Sequence, residues 1–284
     1  MKINRIGEAL GAEVIEIDLR QNLDSAIIAE INKAFRDHVV LVFRDQHFSS
    51  PEEFINAAKY LGDPMPPVTT TYRLTDYEVV EELKSNSVDK RTGKPIDQRG
   101  GSWHTDHSNL GQPPKATTLY AINLPPSGGG NTEFTNMYMA FETLPEDIKK
   151  RIEGLQSFQA YQSRRAPRKL LTRSEDEREG SSGTWQPLVR KHPESGKAAL
   201  YINPMRSDAI EGMDETEGDQ LLDTLYRHFD NPEFQYSHEW RMGDMLIWDN
   251  RCALHQATPS INPQELRYMH RIMLKGDLPI MAGS

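Results

Sequence analysis

The chain has 284 residues, which is long for one domain, although all-β barrels that carry helical insertions fold as single units near this size. Its 33 lysines and arginines are scattered among 42 aspartates and glutamates, and this acidic balance argues against a nucleic-acid or anionic-membrane surface. The single cysteine, Cys252, excludes an internal disulfide and a multi-thiolate metal site, and we expect it to be an inert buried residue. We therefore expect one domain, residues 1–284, in a cytoplasmic protein without a membrane span; a homodimer or homotetramer stays open.

Apolar periodicity predicts helices and strands along the whole chain. In the first part, it predicts a strand, a capped helix, a fully buried strand and a second helix, at residues 11–19, 24–35, 39–43 and 51–61. Further along, strands are predicted at residues 116–122, 198–202, 245–248 and 268–274, and helices at 145–155 and 214–229. Runs rich in glycine and proline separate many of these elements, which is typical of antiparallel strands joined by loops.

Two polar segments predict mobile loops. Residues 84–102 are rich in polar side chains and glycine, and composition leaves a lid over a site and a plain surface loop equally open. Residues 163–183 carry many charges and few apolar positions, which is typical of a surface insert, with a flap that covers a substrate as the alternative.

A short stretch, Trp103-His104-Thr105-Asp106, carries the first indication of chemistry. In an extended segment, side chains two apart point to the same face, so His104 and Asp106 could hold one metal ion. A second imidazole, His255, would complete a set of two histidines and one carboxylate. Such a set leaves metal positions free and is typical of non-haem Fe(II) oxygenases.

The pattern His-x-Asp alone is weak, because the sequence contains it again at His228-Phe229-Asp230. That copy lies at the end of a predicted helix, where residues two apart diverge by about 200° and do not share a metal easily. The structural neighbourhood therefore separates the two copies, and only the first lies among strand patterns.

The surrounding motifs resemble a known family. They are the Trp-His-Thr-Asp stretch, the run from Gly243 to His255 that contains Trp248-Asp249-Asn250-Arg251, and Arg267-Tyr268-Met269-His270-Arg271. Together they are similar to those of the taurine dioxygenase and 2,4-dichlorophenoxyacetate dioxygenase family, over almost the full chain. The resemblance implies a mainly β fold with flanking helices, in which a double-stranded β-helix, or jelly roll, closes into a squashed barrel with iron at one open end.

The resemblance also implies a role for individual residues. His104, Asp106 and His255 would be the iron ligands, while Thr132 and Arg267 would hold the distal carboxylate of 2-oxoglutarate. Arg271 would hold an anionic group of the substrate. Arg206 is a candidate for a second anion contact, with an exposed ion pair as the alternative.

The implied activity is oxidation of a C–H bond of a small anionic molecule with Fe(II), 2-oxoglutarate and O2, releasing succinate and CO2. Taurine dioxygenase has an additional histidine at one position and an asparagine at another. Here the first position has no histidine and the second is Gly100, so taurine itself is disfavoured. Two alternatives stay open: a zinc hydrolase that uses the same three ligands, and a 2-oxoglutarate sensor without turnover.

Overall fold

The computed structural model describes residues 1–88, 93, 101–170, 173, 182–258, 262 and 264–283. Parts of both predicted mobile loops, residues 89–92, 94–100, 171–172 and 174–181, lie outside the described residues. No helix in the described part is both long enough and apolar enough to cross a membrane.

Five α-helices pack beside the sheets in the described residues. They are α1 (Ser25–His38), α2 (Pro51–Lys59), α3 (Met137–Glu142), α4 (Glu146–Ile152) and α5 (Glu215–Phe229). The caps follow the sequence signals, because Asp24 accepts a hydrogen bond from the amide of Ile27 and Asp214 accepts one from the amide of Glu217. Short 3₁₀ turns lie at Thr70–Tyr72 and Pro232–Phe234.

Strands make up most of the remaining regular structure. In chain order, they are β1 (Lys2–Arg5), β2 (Ala12–Ile15), β3 (Val40–Phe43), β4 (Pro64–Met65), β5 (Arg73–Leu74), β6 (Tyr77–Lys84), β7 (Ala116–Asn123), β8 (Thr132–Asn136), β9 (Gln156–Ala160), β10 (Gly183–Pro187), β11 (Val189–Lys191), β12 (Ala198–Leu200), β13 (Ser207–Ile210), β14 (Gln235–His238), β15 (Met245–Asp249), β16 (Ala253–Ala257), β17 (Tyr268–Leu274) and β18 (Ile280–Met281).

The strands form one large sheet and several small ones. The main sheet has the order β1-β2-β3-β15-β7-β17-β6-β5, with β4 added beside β17, and among its described strands only the β2–β3 pair is parallel. A minor sheet has the order β14-β8-β16, and two further three-stranded sheets are β10-β9-β13 and β12-β11-β18. In the described residues no hydrogen-bonded pair joins the main and minor sheets, so they face each other as a jelly roll and do not close into a continuous barrel.

Both faces of the central strands are buried. On β3, Val40 and Val42 pack in the inner core, the apolar cluster shared with Phe134 of the minor sheet. The intervening residues, Leu41 and Phe43, pack with α1 and α2 in a separate outer core. The continuous apolar run at residues 39–43 is therefore confirmed as a fully buried strand, since each side of it meets a different layer.

Several predicted elements are longer than the observed ones, and some observed strands were not predicted. The strand predicted at residues 11–19 covers only Ala12–Ile15, because Glu16 has φ of 59° and ends the extended conformation. The helix predicted at residues 145–155 is α4, which ends at Ile152. The expectation contained no strand at β6, β8 or β16, and these strands position most of the site.

Candidate metal and 2-oxoglutarate site

His104 and His255 are held opposite each other by backbone hydrogen bonds. The amide of His104 donates to the carbonyl of His255 at 3.0 Å, and the amide of His255 donates back at 2.8 Å. This bridge attaches the segment before Asp106 to β16, across more than half of the chain. The two imidazole rings consequently lie with their centroids 4.2 Å apart.

Asp106 lies at the start of the turn that follows the bridge. Its Oδ2 atom is 3.9 Å from Nε2 of His255, and one ligand atom from each of His104, Asp106 and His255 lies within 4.8 Å of the other two. All three side chains are at most 9% exposed. The segment is extended at His104 and turns at Asp106, and the structure brings the three predicted ligand residues together.

The protonation states of the three side chains suit a divalent cation. Burial lowers the pKa of His255 to about 4 and that of His104 well below its ordinary value, so both imidazoles are neutral near pH 7. Burial opposes ionisation of Asp106, but the positive charge of Arg271 and the neighbouring histidines hold its pKa below the ordinary range. Nδ1 of His104 donates to the carbonyl of Ser102 at 2.7 Å, which leaves Nε2 as the ligand atom. The donor set therefore fits Fe(II).

A chain of buried hydrogen bonds fixes the carboxylate of Asp106. Thr117 on β7 donates from Oγ1 to Oδ2 of Asp106 at 2.6 Å and accepts from Nδ2 of Asn250 at 2.9 Å. The amide oxygen of Asn250 accepts from Nε1 of Trp248 at 3.0 Å. This chain explains why Asn250 and Trp248 stand in the turn and strand that precede the last ligand: they orient Asp106 indirectly.

Substitution of Thr117 by valine is expected to weaken Fe(II) binding by about 10- to 100-fold, because it removes the donor that orients the ligand carboxylate. The measurement is an anaerobic Fe(II) titration of the purified protein. Thr118→Val is the matched control, since its hydroxyl is buried on the same strand without a hydrogen-bond partner in the described residues. Equal Fe(II) affinity in the Thr117 and Thr118 variants would contradict the orienting role.

Arg267 and Thr132 meet at the indole of Trp240. Nε1 of Trp240 donates to Oγ1 of Thr132 at 3.1 Å, and the guanidinium of Arg267 lies 5.7 Å from the centre of the tryptophan ring. Nε of Arg267 is buried without a hydrogen-bond partner, and no carboxylate of the described residues pairs with this side chain. Burial lowers the pKa of Arg267 to about 10. Arg267 therefore makes no surface ion pair within the described residues.

Arg271 differs from Arg267, because a carboxylate of the protein already holds it. Nε and Nη2 of Arg271 lie 2.7 and 2.6 Å from Oε2 of Glu81, which faces it from β6 and is 1% exposed. Nη1 of Arg271 lies 3.6 Å from Oδ1 of Asp106. Sequence reasoning missed Glu81, because it is one of several charged residues in β6 and nothing in the sequence distinguishes it.

Arg206 is buried, contrary to the alternative of an exposed ion pair. Arg206 is 6% exposed, and its side chain makes no salt bridge to a carboxylate of the described residues. Nη1 donates to the carbonyl of Tyr161 at 2.5 Å, while Nε has no partner in the described structure. An exposed ion pair is excluded within the described residues, because Arg206 is enclosed and the residues before it are bound to Ser163, which donates to the carbonyls of Pro204 and Met205.

A second group of candidate metal ligands, His192, Asp249 and Cys252, is better explained as structural. Both carboxylate oxygens of Asp249 accept hydrogen bonds from Arg251, at 2.8 and 2.6 Å, and one also contacts Nε2 of His192. A cation there would compete with the buried guanidinium. Burial raises the pKa of the Cys252 thiol, so the expectation of an inert cysteine is consistent with its surroundings.

Comparison with known proteins identifies a family model that matches most of the chain. The model describes the taurine catabolism dioxygenase TauD, TfdA family and matches residues 2–273. That span includes all of the predicted site residues.

Individual relatives share about 30% of their residues with the chain. Pentalenolactone F synthase of Streptomyces avermitilis is 32% identical over 298 residues, covering 98% of this chain and 95% of that protein. The alpha-ketoglutarate-dependent 2,4-dichlorophenoxyacetate dioxygenase of Cupriavidus pinatubonensis is 32% identical, with coverage of 89% and 90%. The alpha-ketoglutarate-dependent sulfate ester dioxygenase of Pseudomonas putida is 28% identical, with coverage of 99% and 91%.

Solved structures agree with the fold. A taurine dioxygenase from Burkholderia xenovorans superposes with a TM-score of 0.83 at 27% identity, covering 99% of this chain and 91% of that one. AAD-2 in complex with Mn(II) and N-oxalylglycine superposes with a TM-score of 0.79 at 27% identity, and 98% of each chain is covered. These likenesses confirm the expected jelly-roll core with flanking helices.

Proposed function

The chain belongs to the TauD/TfdA family, and we propose that it oxidises an unactivated C–H bond of a small anionic organic substrate, most simply by hydroxylation. As a 2-oxoglutarate-dependent dioxygenase, it uses Fe(II), 2-oxoglutarate and O2. The observation that carries the proposal for this chain is the buried set of His104, Asp106 and His255, whose ligand atoms lie within 4.8 Å of one another.

Fe(II), 2-oxoglutarate and O2 together supply an oxidant strong enough for a C–H bond, with succinate and CO2 as the other products. In our proposal, the chain holds the metal through Nε2 of His104, Nε2 of His255 and the carboxylate of Asp106. Thr117 keeps that carboxylate in place, since it donates to Oδ2 at 2.6 Å. The burial of all three ligands excludes bulk water from the reacting region.

We assign the distal carboxylate of 2-oxoglutarate to Arg267 and Thr132. The guanidinium lacks a carboxylate partner in the described residues, and a partly buried cation of this kind is stabilised by an incoming anion. The hydroxyl of Thr132 accepts from Trp240, and its own proton is thereby left to donate to a second carboxylate oxygen. A bidentate contact with Arg267 would fix the co-substrate in one orientation.

The proposal of an anionic substrate is supported by two relatives, which are named for 2,4-dichlorophenoxyacetate and for sulfate esters. A cytoplasmic location is also proposed, and the single buried cysteine is consistent with it. Within residues 163–183, the described residue Arg173 is 8% exposed and its guanidinium lies 3.7 Å from the centre of the Tyr161 ring. This supports the flap alternative for that segment.

A screen of small organic acids by succinate release tests the function. We expect succinate to form only when Fe(II), 2-oxoglutarate, O2 and an accepted acid are all present, beyond a slow uncoupled background. Product release that needs Zn(II) and no 2-oxoglutarate would instead indicate the hydrolase alternative. Tight 2-oxoglutarate binding without succinate from any acid would indicate the sensor.

A further inference from the structure

Two buried arginines near the metal ligands, Arg271 and Arg206, differ in how their charge is compensated. Arg271 is held by Glu81 through two contacts shorter than 3 Å, and that carboxylate is fully enclosed. A substrate anion would have to compete with Glu81 or share its guanidinium, and separating a buried ion pair is costly. Arg271 therefore offers little uncompensated charge for a substrate.

The positive charge of Arg206, unlike that of Arg271, is not compensated by a carboxylate contact in the described residues. Arg206 is 6% exposed, its Nε has no hydrogen-bond partner, and no described carboxylate forms a salt bridge with it. Burial lowers its pKa to about 10, a value at which it still carries its charge near pH 7. A buried cation without a counter-ion is unfavourable in the empty protein, and an anionic ligand would relieve this cost.

The surroundings of Arg206 contact the turn that begins at Asp106. Nδ2 of Asn203, three residues before Arg206, donates to the hydroxyl of Ser108 at 3.3 Å, and Ser108 lies two residues after Asp106. That hydroxyl donates in turn to Oε1 of Gln159 at 3.0 Å, and the neighbouring carbonyl of Arg206 accepts from the amide of Ala160. The arginine is thus fixed against the turn that carries Asp106.

Two further groups give this region the character of an anion site. The guanidinium of Arg173 stacks on the ring of Tyr161 at 3.7 Å, and that of Arg206 lies 5.3 Å from the centre of the same ring. Nδ1 of His107 is buried without a partner in the described residues, and can donate a hydrogen bond.

We propose, resting on the function given above, that Arg206, Arg173 and His107 form the subsite for the anionic end of the prime substrate. Its ligand is a carboxylate or a sulfate ester, bound by Arg206 in a charge-assisted contact. Arg271 then acts as a positioning residue that ties Asp106 to Glu81. Since the subsite adjoins Asp106, the anion would fix which carbon of the substrate lies near the metal.

The test compares acids with uncharged analogues in protein loaded with Mn(II) and 2-oxoglutarate. The probes are 2,4-dichlorophenoxyacetate against its methyl ester, and hexyl sulfate against hexanol, with dissociation constants measured by calorimetry. We expect the wild-type protein to prefer at least one acid over its analogue by about 30-fold or more. Absence of any such preference would overturn the proposal.

Arg206→Gln is expected to remove this preference while the affinity for 2-oxoglutarate, titrated on the same sample, stays within about threefold. Arg206→Lys should retain part of the preference, because an ammonium keeps the charge but not the planar fork. Arg164→Gln is the matched control. Arg164 lies, like Arg173, in the segment that begins at Ser163, but it pairs with Asp219 on α5 at 2.6 Å, and its loss should leave the preference unchanged.

Three outcomes would count against the subsite. The preference could survive in Arg206→Gln, or it could disappear in Arg271→Gln while Arg206→Gln retains it, which would return the anion to Arg271. Parallel weakening of the acid and of 2-oxoglutarate in both Arg206 variants would make that residue structural. Failure of the wild-type protein to bind 2-oxoglutarate at all would instead refute the proposed function, so the two failures are distinguishable.

Discussion

Replacement of His255 by alanine is expected to abolish the visible charge-transfer band that forms when 2-oxoglutarate is added anaerobically to the Fe(II)-loaded protein, and to reduce turnover by more than about 100-fold. Residues that only orient a metal ligand already contribute 10- to 100-fold, and loss of a ligand should exceed that. The side chain is replaced without disturbing its backbone, which still pairs with His104 through two hydrogen bonds. The measurements are the absorption spectrum and succinate release on the same preparation.

His228→Ala is the control for this result. His228 belongs to the second His-x-Asp pattern, but it lies on α5 and its Nε2 contacts the hydroxyl of Thr143 at 3.0 Å. We expect the band and the turnover of this variant to match those of the wild-type protein. A His255→Ala protein that keeps both signals would contradict the assignment of the ligands.

The difference between the two patterns shows how far the sequence alone reaches. Local periodicity predicted the helix that contains His228 and so excluded its pattern as a metal site. It could not predict the bridge between His104 and His255, because that pairing joins segments far apart in the chain and has no local signature. The motifs that flank His255, and their resemblance to a family, supplied the missing information.

The partners of the arginines also depend on pairing between distant segments, and local periodicity does not predict them. Glu81 and Arg271 face each other because β6 pairs with β17, and the register of that pairing follows from the packing of the sheet. β6 itself was not predicted, since its sequence mixes charged and apolar residues without a clear period. Burial of Arg206 likewise depends on residues that surround it in space, and the sequence offered only its charge.

Thr117 is a case in which a sequence signal existed but is ambiguous. Two threonines, Thr117 and Thr118, interrupt the apolar run of β7, and both are fully buried. Alternation along a strand places their side chains on opposite faces, so that only one can meet Asp106. In the structure Thr117 donates to Asp106, so the Thr117 variant is the test and the Thr118 variant is the control.

Arg267→Ala is expected to weaken the binding of 2-oxoglutarate by about 2 to 5 kcal/mol, because a buried carboxylate would lose its charged partner. The effect should appear in the Michaelis constant for 2-oxoglutarate, with turnover at saturating co-substrate changed much less, since the contact holds the ground state and the transition state alike. Arg241→Ala is the comparison, because this arginine is exposed in the turn before β15.

The prediction also separates the two cationic sites in our proposal. Nε of Arg267 is buried near Trp240 and Thr132, whereas Arg206 donates to the carbonyl of Tyr161, just after β9. Each variant should therefore affect the binding of a different ligand. Arg267→Ala should therefore leave the preference for an acid over its uncharged analogue intact when 2-oxoglutarate is saturating. An unchanged affinity for 2-oxoglutarate in this variant would show that the distal carboxylate is bound elsewhere. A combined Arg206→Gln, Arg267→Ala protein should show the sum of the two separate losses, since the residues share no contact and bind different molecules.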